Sequence, residues 1–596
     1  MKKTALSLVA MLSLIGLTGC QTQQQASLPV VETIEQDKVF TRFSAQFIDE
    51  LWQTFPTWAL YKGFHGYDGR LNIPNAAQRQ QTFNFITRQQ QALATIDPNV
   101  LTPNARIDYR IIDNLLAKMK WEQETFKSWQ WDPSQYNVAE GFALLINGDF
   151  APLNDRLLSI LSRLAYIPDY YAAARDSIVS PTLEHTQLAI LQNEGALSVL
   201  SPTLLDTAMA SGLTETQKQQ FSMRLSQGVE AIKQQISWLK SLEKQLMIDG
   251  GRDFRIGEKM YEQKFAFDIK AGMTAKQLYE KALADKARVQ AEMATLTTQL
   301  WPKYFSSAKP SDDKIAIGQL INKLSINHVK REDFVSDIRQ QIPELVQFVN
   351  DKNLINLDPN KPLIVRETPK YMRGFAGASV SAPGPYDKSA NTYYNVTPLD
   401  SMSEASAESY LREYNHWILQ ILNIHEAIPG HYTQLVYANE SPSLVKSLFG
   451  NGAMIEGWAV YAERMMLEQG YGDFEPEMWL MYYKWHLRVI CNTLLDYSIQ
   501  VKGMTEDEAI ALMTKEAFQQ IAEAKGKWRR ATLSQVQLTS YYAGYRGIYD
   551  LREEIKTIEE TLFDLKAFHE RFLSFGSAPV SDIRQLMLLE HQNEMN

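Results

Sequence analysis

The sequence predicts a mainly α protein: a large helical body of two lobes about a central cleft, with a small β element beside the helix that carries a histidine pair. Three observations predict it. From about Asp37 onward Ala, Leu, Gln and Glu are prominent, and these are good helix formers. Residues 37–250 read as helices separated by short breaks such as Ser180-Pro181 and Ser201-Pro202. Two helix starts are written out: Thr274 as N-cap of the periodic stretch 274–300, and Thr505-Glu506-Asp507-Glu508 as a capping box. Residues 376–397 differ, with a turn at Pro383-Gly384-Pro385 and strand character in Thr392-Tyr393-Tyr394-Asn395-Val396. That strand has two readings. Its free edge could pair with an extended peptide backbone, or it belongs to a small structural hairpin. The length permits more than one domain, but 37–596 is treated as one catalytic body.

The N-terminus is a separate matter. Lys2-Lys3 and the apolar run Ala5 to Leu17 form a signal peptide over residues 1–19, too short to span a membrane. It ends in Leu17-Thr18-Gly19-Cys20, the pattern of a lipoprotein signal peptidase site. Acylation of Cys20 would anchor the chain, and several acyl chains hold a protein stably at a bilayer. Residue 21 is Gln rather than Asp, which favours the outer membrane, facing the periplasm. Residues 20–36 are expected to be a polar tether, unstructured over Gln21 to Ala26. Only one other cysteine exists, Cys491. It reads as a buried core thiol, so the fold does without disulfides.

Chemistry concentrates in two segments. Residues 425–431 are His-Glu-Ala-Ile-Pro-Gly-His, and 456–463 are Glu-Gly-Trp-Ala-Val-Tyr-Ala-Glu. Zinc takes His nitrogen and carboxylate oxygen, and catalytic sites leave one position to water. The expected ligands of one Zn2+ ion are His425, His431 and Glu456, with Glu426 as general base. The familiar spacing is His-Glu-x-x-His on one helix face. Here the second His is at i+6, about 240° round and about 9 Å along an ideal helix. Pro429 removes a backbone donor, and Gly430 can adopt angles denied to other residues. A helix broken at 428–430 is therefore expected, swinging His431 back towards His425. An unbroken helix would count against the ligand set. The alternative is a terminating Pro-Gly between two of the nine histidines. Glu456 lies in an apolar run, where a carboxylate needs a partner or a metal. Glu463, seven residues on, shares its face. It either orients a His ring from behind or is solvated beside Arg464.

These residues resemble a large bacterial family known as domain of unknown function 885, whose members look like zinc metallopeptidases related to the helical gluzincins. The likeness covers most of the mature chain. Gly63-Phe64-His65-Gly66-Tyr67-Asp68 matches one family signature, and Arg530, Gln537-Leu538-Thr539-Ser540-Tyr541, Gly544 and Leu551-Arg552 match another. There are departures: Gln535-Val536 stand where the family has Pro-Gly, and Gln500 stands where it has His. The resemblance implies a mostly helical fold with a deep cleft and peptide substrates. It also makes Tyr541 the oxyanion donor, with Tyr542 and Tyr545 close enough in sequence to be confused with it. Arg530 is a candidate for a substrate carboxylate; Arg552 reads as paired with neighbouring acids. His65, His416 and His486 lack ligand spacing and read as structural.

A net charge of −9 argues against nucleic acid as a partner, since phosphate contacts need clustered Lys and Arg. Two other readings stand beside peptide hydrolysis. One is a non-catalytic envelope binding lipoprotein with a relic metal site, which intact Glu426 argues against. The other is a zinc amidase acting on cell-wall peptides.

Overall fold

A computed structural model of the chain describes residues 30–594, apart from 362, 369–376, 383, 387–390 and 442. The signal peptide 1–19, Cys20 and the tether as far as residue 29 lie outside the described residues, as does Pro383 of the expected turn. The first helix, Val30–Thr54, begins earlier than the expected body. Residues 30–36 of the expected tether are thus its opening turns.

The fold is mainly α, with one three-stranded sheet among the described residues. Both helix starts form as the sequence predicts. Thr274 and Gln277 cap each other reciprocally at 3.1 and 2.9 Å, opening Ala275–Tyr304. Thr505 and Glu508 do the same for Glu506–Ala511, which passes into a π turn over Leu512–Glu516. Ser201-Pro202 opens a helix with proline in its first turn. Helix Pro476–Lys502 is buried along nearly its whole length, as its apolar composition requires. Cys491 lies in it with no disulfide partner, and burial pushes its thiol up to about 12, so it stays protonated. Apolar side chains gather in one large core, a smaller one around Phe142, Leu164, Tyr171 and Phe221, and a minor cluster of Ala189, Ile190 and Leu239. No helix among the described residues is long and apolar enough to cross a membrane.

The sheet has the order β1 (Leu363–Glu367), β3 (Thr392–Val396), β2 (Ala378–Ser381). β1 runs parallel to β3, with Leu363 opposite Thr392; β2 runs antiparallel, with Ala378 opposite Val396. This corrects the expectation of a free edge on 392–396. That strand is central and both of its edges are paired, so it cannot take up a peptide backbone; neither is it half of a simple hairpin. Its work is to position. The Tyr394 hydroxyl donates to Asn423 Oδ1 at 2.9 Å, and Asn423 donates to Gln341 Oε1 at 2.7 Å, which ties the sheet to helix His416–Glu426.

Helices Gly452–Glu468 and Ser540–Glu559 cross at backbone contact. A Cβ on Gly544 would lie 1.7 Å from the Ala453 carbonyl oxygen, and one on Gly457 would lie 2.3 Å from the Gly544 carbonyl carbon. The neighbouring atoms are backbone and cannot step aside. Gly544→Ala should therefore lower the melting temperature, costing ~1–3 kcal/mol or more by overpacking. Gly526→Ala meets nothing within 4 Å on an exposed helix position and should raise stability by up to ~1 kcal/mol. Thermal unfolding of the two variants checks the contrast.

Candidate metal centre

The segment 425–431 folds as two helices with a break between them. Helix His416–Glu426 is capped by Asn415 and stops at Glu426; a new helix, His431–Glu440, starts at the second histidine. Between them Ala427 N–H returns to the Asn423 carbonyl at 2.9 Å, and Gly430 N–H reaches the Ile424 carbonyl at 3.0 Å. The Ile428-Pro429 peptide bond is cis. Gly430 is also required for a reason the sequence did not show. Its φ is −72° and its ψ −128°, and a Cβ there would stand 1.9 Å from the His425 carbonyl oxygen. Trp458 fastens the break from the other motif, its indole N–H donating to the Pro429 carbonyl at 2.8 Å.

The break brings the rings together. The imidazoles of His425 and His431 lie 4.8 Å apart and nearly perpendicular. Glu456 Oε2 stands 3.3 Å from His431 Nε2 and 3.8 Å from His425 Nε2. The three donor atoms all lie within 4.8 Å of one another. Two donors bound about 2.1 Å from one tetrahedral ion stand roughly 3.4 Å apart, so these side chains could close about one ion through small shifts. Two imidazoles and a carboxylate are also a donor set that zinc accepts. Among the described residues this is the one group so spaced.

Glu463 resolves the choice left open by its sequence. It is fully buried, not solvated. Its Oε1 lies 2.6 Å from His425 Nδ1 and accepts the Trp485 indole N–H at 3.0 Å. The contact leaves His425 Nε2 facing Glu456. Burial alone would depress the His425 pKa, but Glu463, with Glu426 and Glu456, outweighs it and lifts the ring to about 9. Glu463 itself is raised by burial, which exceeds the pull of His425. His431 Nδ1 has no corresponding partner among the described residues.

Glu426 is raised above the ordinary carboxylate range by burial, opposed by His431 and His425 and reinforced by Glu456. Glu456 is also pushed upward by burial, but His431, His425 and Arg530 reverse this and hold it low. These two carboxylates, on neighbouring elements, are thus driven apart, one towards proton transfer and one towards permanent charge.

Tyr541 adjoins this group. Burial raises its pKa, with Glu456 adding, and its hydroxyl lies 3.4 Å from Arg530 Nη2. Arg530 also donates to Gln537 Oε1 at 2.7 Å. Gln537 and Glu456 line one cavity of about 400 Å³. The other two tyrosines lie elsewhere. The Tyr542 hydroxyl donates to Asp285 at 2.7 Å, and Tyr545 packs its ring 4.7 Å from that of His486. Helical residues one apart diverge by about 100°, which turns Tyr542 away from its neighbour; Tyr545 lies a turn further on. Neither is placed against the candidate ligands. Arg552 pairs with Glu468 and Glu553, each at 2.7 Å. His65 stacks on Phe150 and pairs with Asp68, His416 is exposed, and buried His486 is pushed down to about 3.

The departures from the family pattern meet at one place. Asp496 accepts the backbone N–H groups of Val536 and Leu538, each at 3.1 Å, and Gln500 donates to the Ala531 carbonyl at 2.9 Å. They brace the loop that presents Gln537. Val536 has a φ of +72°, a region unfavourable for a β-branched residue and natural for the family's glycine. Trp458, Lys527 and the Gly457–Gly544 crossing were missed by sequence reasoning. Trp458 stood within the motif, but nothing local marked its hydrogen bond.

The fold and site define a mainly helical protein with a His-His-Glu cluster at a broken helix. A family model described as bacterial protein of unknown function (DUF885) matches residues 56–587, and the chain belongs to that family. Among curated proteins none matches it. Two solved structures are similar. A candidate lipoprotein of unknown function from Shewanella oneidensis is 68% identical, with 92% of this chain and 99% of that one covered at a TM-score of 0.85. A candidate lipoprotein from Colwellia psychrerythraea is 17% identical over 94% of this chain and 99% of that one, at a TM-score of 0.75, and shows the shared fold alone.

The His425–Glu463 contact has a pH signature in chelator-treated protein. A histidine raised to about 9 contributes stability that is full below the unfolded value of about 6.5 and is lost as pH rises through 9. Urea unfolding of the wild type should show declining stability across that window. Glu463→Gln should flatten the decline; an equal slope in both would remove Glu463 as the cause.

Proposed function

We propose that this chain is a zinc-dependent hydrolase of peptide bonds, acting on short peptides in the cell envelope. The convergence of His425, His431 and Glu456, with Glu426 directly after the first ligand, carries the reading. A zinc ion held there would supply a water of lowered pKa and a Lewis acid for the scissile carbonyl. Glu426 takes a proton from the attacking water and delivers it to the leaving amine, a task suited to a carboxyl raised by burial. Glu463 keeps the His425 ring turned to its task. Tyr541, kept protonated by its raised pKa, donates to the oxyanion of the tetrahedral intermediate.

Anchoring belongs to the same proposal. The Leu17-Thr18-Gly19-Cys20 pattern and the description of both similar structures as candidate lipoproteins support a lipid on Cys20. The body would then stand in the periplasm on the outer membrane, where short peptides pass.

Three variants separate the roles. Glu426→Gln should keep its zinc by elemental analysis and lose at least ~10²-fold in turnover; substantial remaining turnover would remove Glu426 as base. Glu456→Ala should purify without zinc, whereas Glu463→Ala should bind it ~10–100-fold more weakly. Zinc that survives Glu456→Ala but not Glu463→Ala would exchange their roles. Mass-spectrometric mapping of a peptide library, with and without chelator, tests the activity itself; chelator-insensitive cleavage or none contradicts it.

A further inference from the structure

The cavity of about 400 Å³ beside the candidate centre has a wall of two kinds. Glu456 belongs to it and to the metal cluster alike. Much of the remaining wall is apolar: Trp58, Leu115, Phe267 and Phe449 line it and are only partly covered by the core behind them. Apolar surface left open in a concave site is what a ligand covers. Three lysines interrupt it. Lys118 is held by Asp268 at 2.6 Å, and Lys270 faces Asp582 at 3.9 Å. Lys62 differs, since its ammonium makes no hydrogen bond or ion pair among the described residues. Burial lowers its pKa and no acid opposes the shift, the condition of an ammonium without a counterion. The acids of the cavity are engaged elsewhere: Asp268 by Lys118 and by Lys264 at 2.8 Å, Glu456 by the two histidines. Lys62 ends helix Pro56–Tyr61 four residues after Trp58, so an ammonium and an indole share one face at the cavity.

We propose that this cavity receives the C-terminal residue of the substrate, its apolar side chain against Trp58 and Phe449 and its free carboxylate on Lys62. That the ligand is a peptide rests on the hydrolase reading; the site itself rests on the cavity wall. A lysine amine without a counterion suits a carboxylate. An acidic side chain would satisfy Lys62 but leave the aromatic wall uncovered. A terminal carboxylate brings a side chain of its own to cover it. Peptides ending in a large apolar residue with a free carboxylate are thus the preferred class.

Calorimetry on the full chain tests this without any turnover. The probes are acetyl-Phe, acetyl-Phe-amide, acetyl-Ala and acetyl-Asp-amide. Acetyl-Phe is expected to bind at least ~10-fold more tightly than its amide, the worth of a charged hydrogen bond. It should also bind ~10-fold more tightly than acetyl-Ala, through the buried ring. Lys62→Met should abolish the first preference and keep the second, which also shows that the variant is folded. Lys62→Arg should retain both. Equal binding of acetyl-Phe and its amide overturns the proposal, as does equal binding of acetyl-Phe and acetyl-Ala. So does an acid preference that survives Lys62→Met, or one lost only in Lys270→Met. Tightest binding of acetyl-Asp-amide assigns Lys62 to acidic side chains and overturns the terminal residue. Carboxylates also bind zinc, so each titration is repeated on chelator-treated chain. A preference seen only with zinc places the carboxylate on the ion and overturns the role of Lys62. A chain that binds acetyl-Phe through Lys62 yet cleaves no peptide refutes the hydrolase reading and leaves the site standing. Zinc-dependent cleavage that is equal for acid and amide peptides does the reverse.

Discussion

Everything at the candidate centre depends on the helix ending at Glu426 and beginning again at His431. Had it continued, the two imidazoles would point to different sides, about 9 Å apart along the axis. The interruption shortens that path and turns the second ring to the first, at 4.8 Å between centroids. Proline removes one donor from the ladder, and glycine lets the backbone close against the His425 carbonyl. At the break, the Pro429 carbonyl is met by Trp458. The indole that secures the histidines thus belongs to the helix that supplies Glu456.

The second motif is held in turn by the glycine crossing. Gly457 follows Glu456 directly, and Gly544 sits three residues beyond Tyr541. Backbone contact between them fixes the Glu456 helix against the Tyr541 helix more tightly than side-chain packing would allow. Glu463, about two turns beyond Glu456 on the same helix face, reaches back to His425 and forms the inner layer. Three segments distant in sequence are therefore coupled by short-range constraints: a broken helix, a hydrogen bond to its break, and a crossing that only glycine permits.

Much of this was legible in the chain because its causes are local. Pro429-Gly430 announces a break, Thr274 and Thr505 announce helix starts, and an apolar run around Glu456 announces a carboxylate at least partly buried. What was illegible depends on distant partners. Glu463 looks solvated or buried with equal justice until Trp485 and His425 close over it. The strand 392–396 was visible, but its central place was not, because its partners Leu363–Glu367 and Ala378–Ser381 lie elsewhere in the sequence and nothing within 392–396 marks the pairing. Tyr542 and Tyr545 share a stretch with Tyr541, and only the helix phase separates them from it. Lys527 sits in Lys527-Trp528-Arg529-Arg530, where one buried amine looks like three solvated charges.

The central claim is that a broken helix builds a single-ion centre from His425, His431 and Glu456. Anomalous diffraction at the zinc edge, from crystals of the zinc-loaded full chain, tests it most directly. The account expects one strong peak about 2.0–2.2 Å from both imidazole Nε2 atoms and the Glu456 carboxylate. A peak bound by only one of the two histidines, or no peak between them, would contradict it.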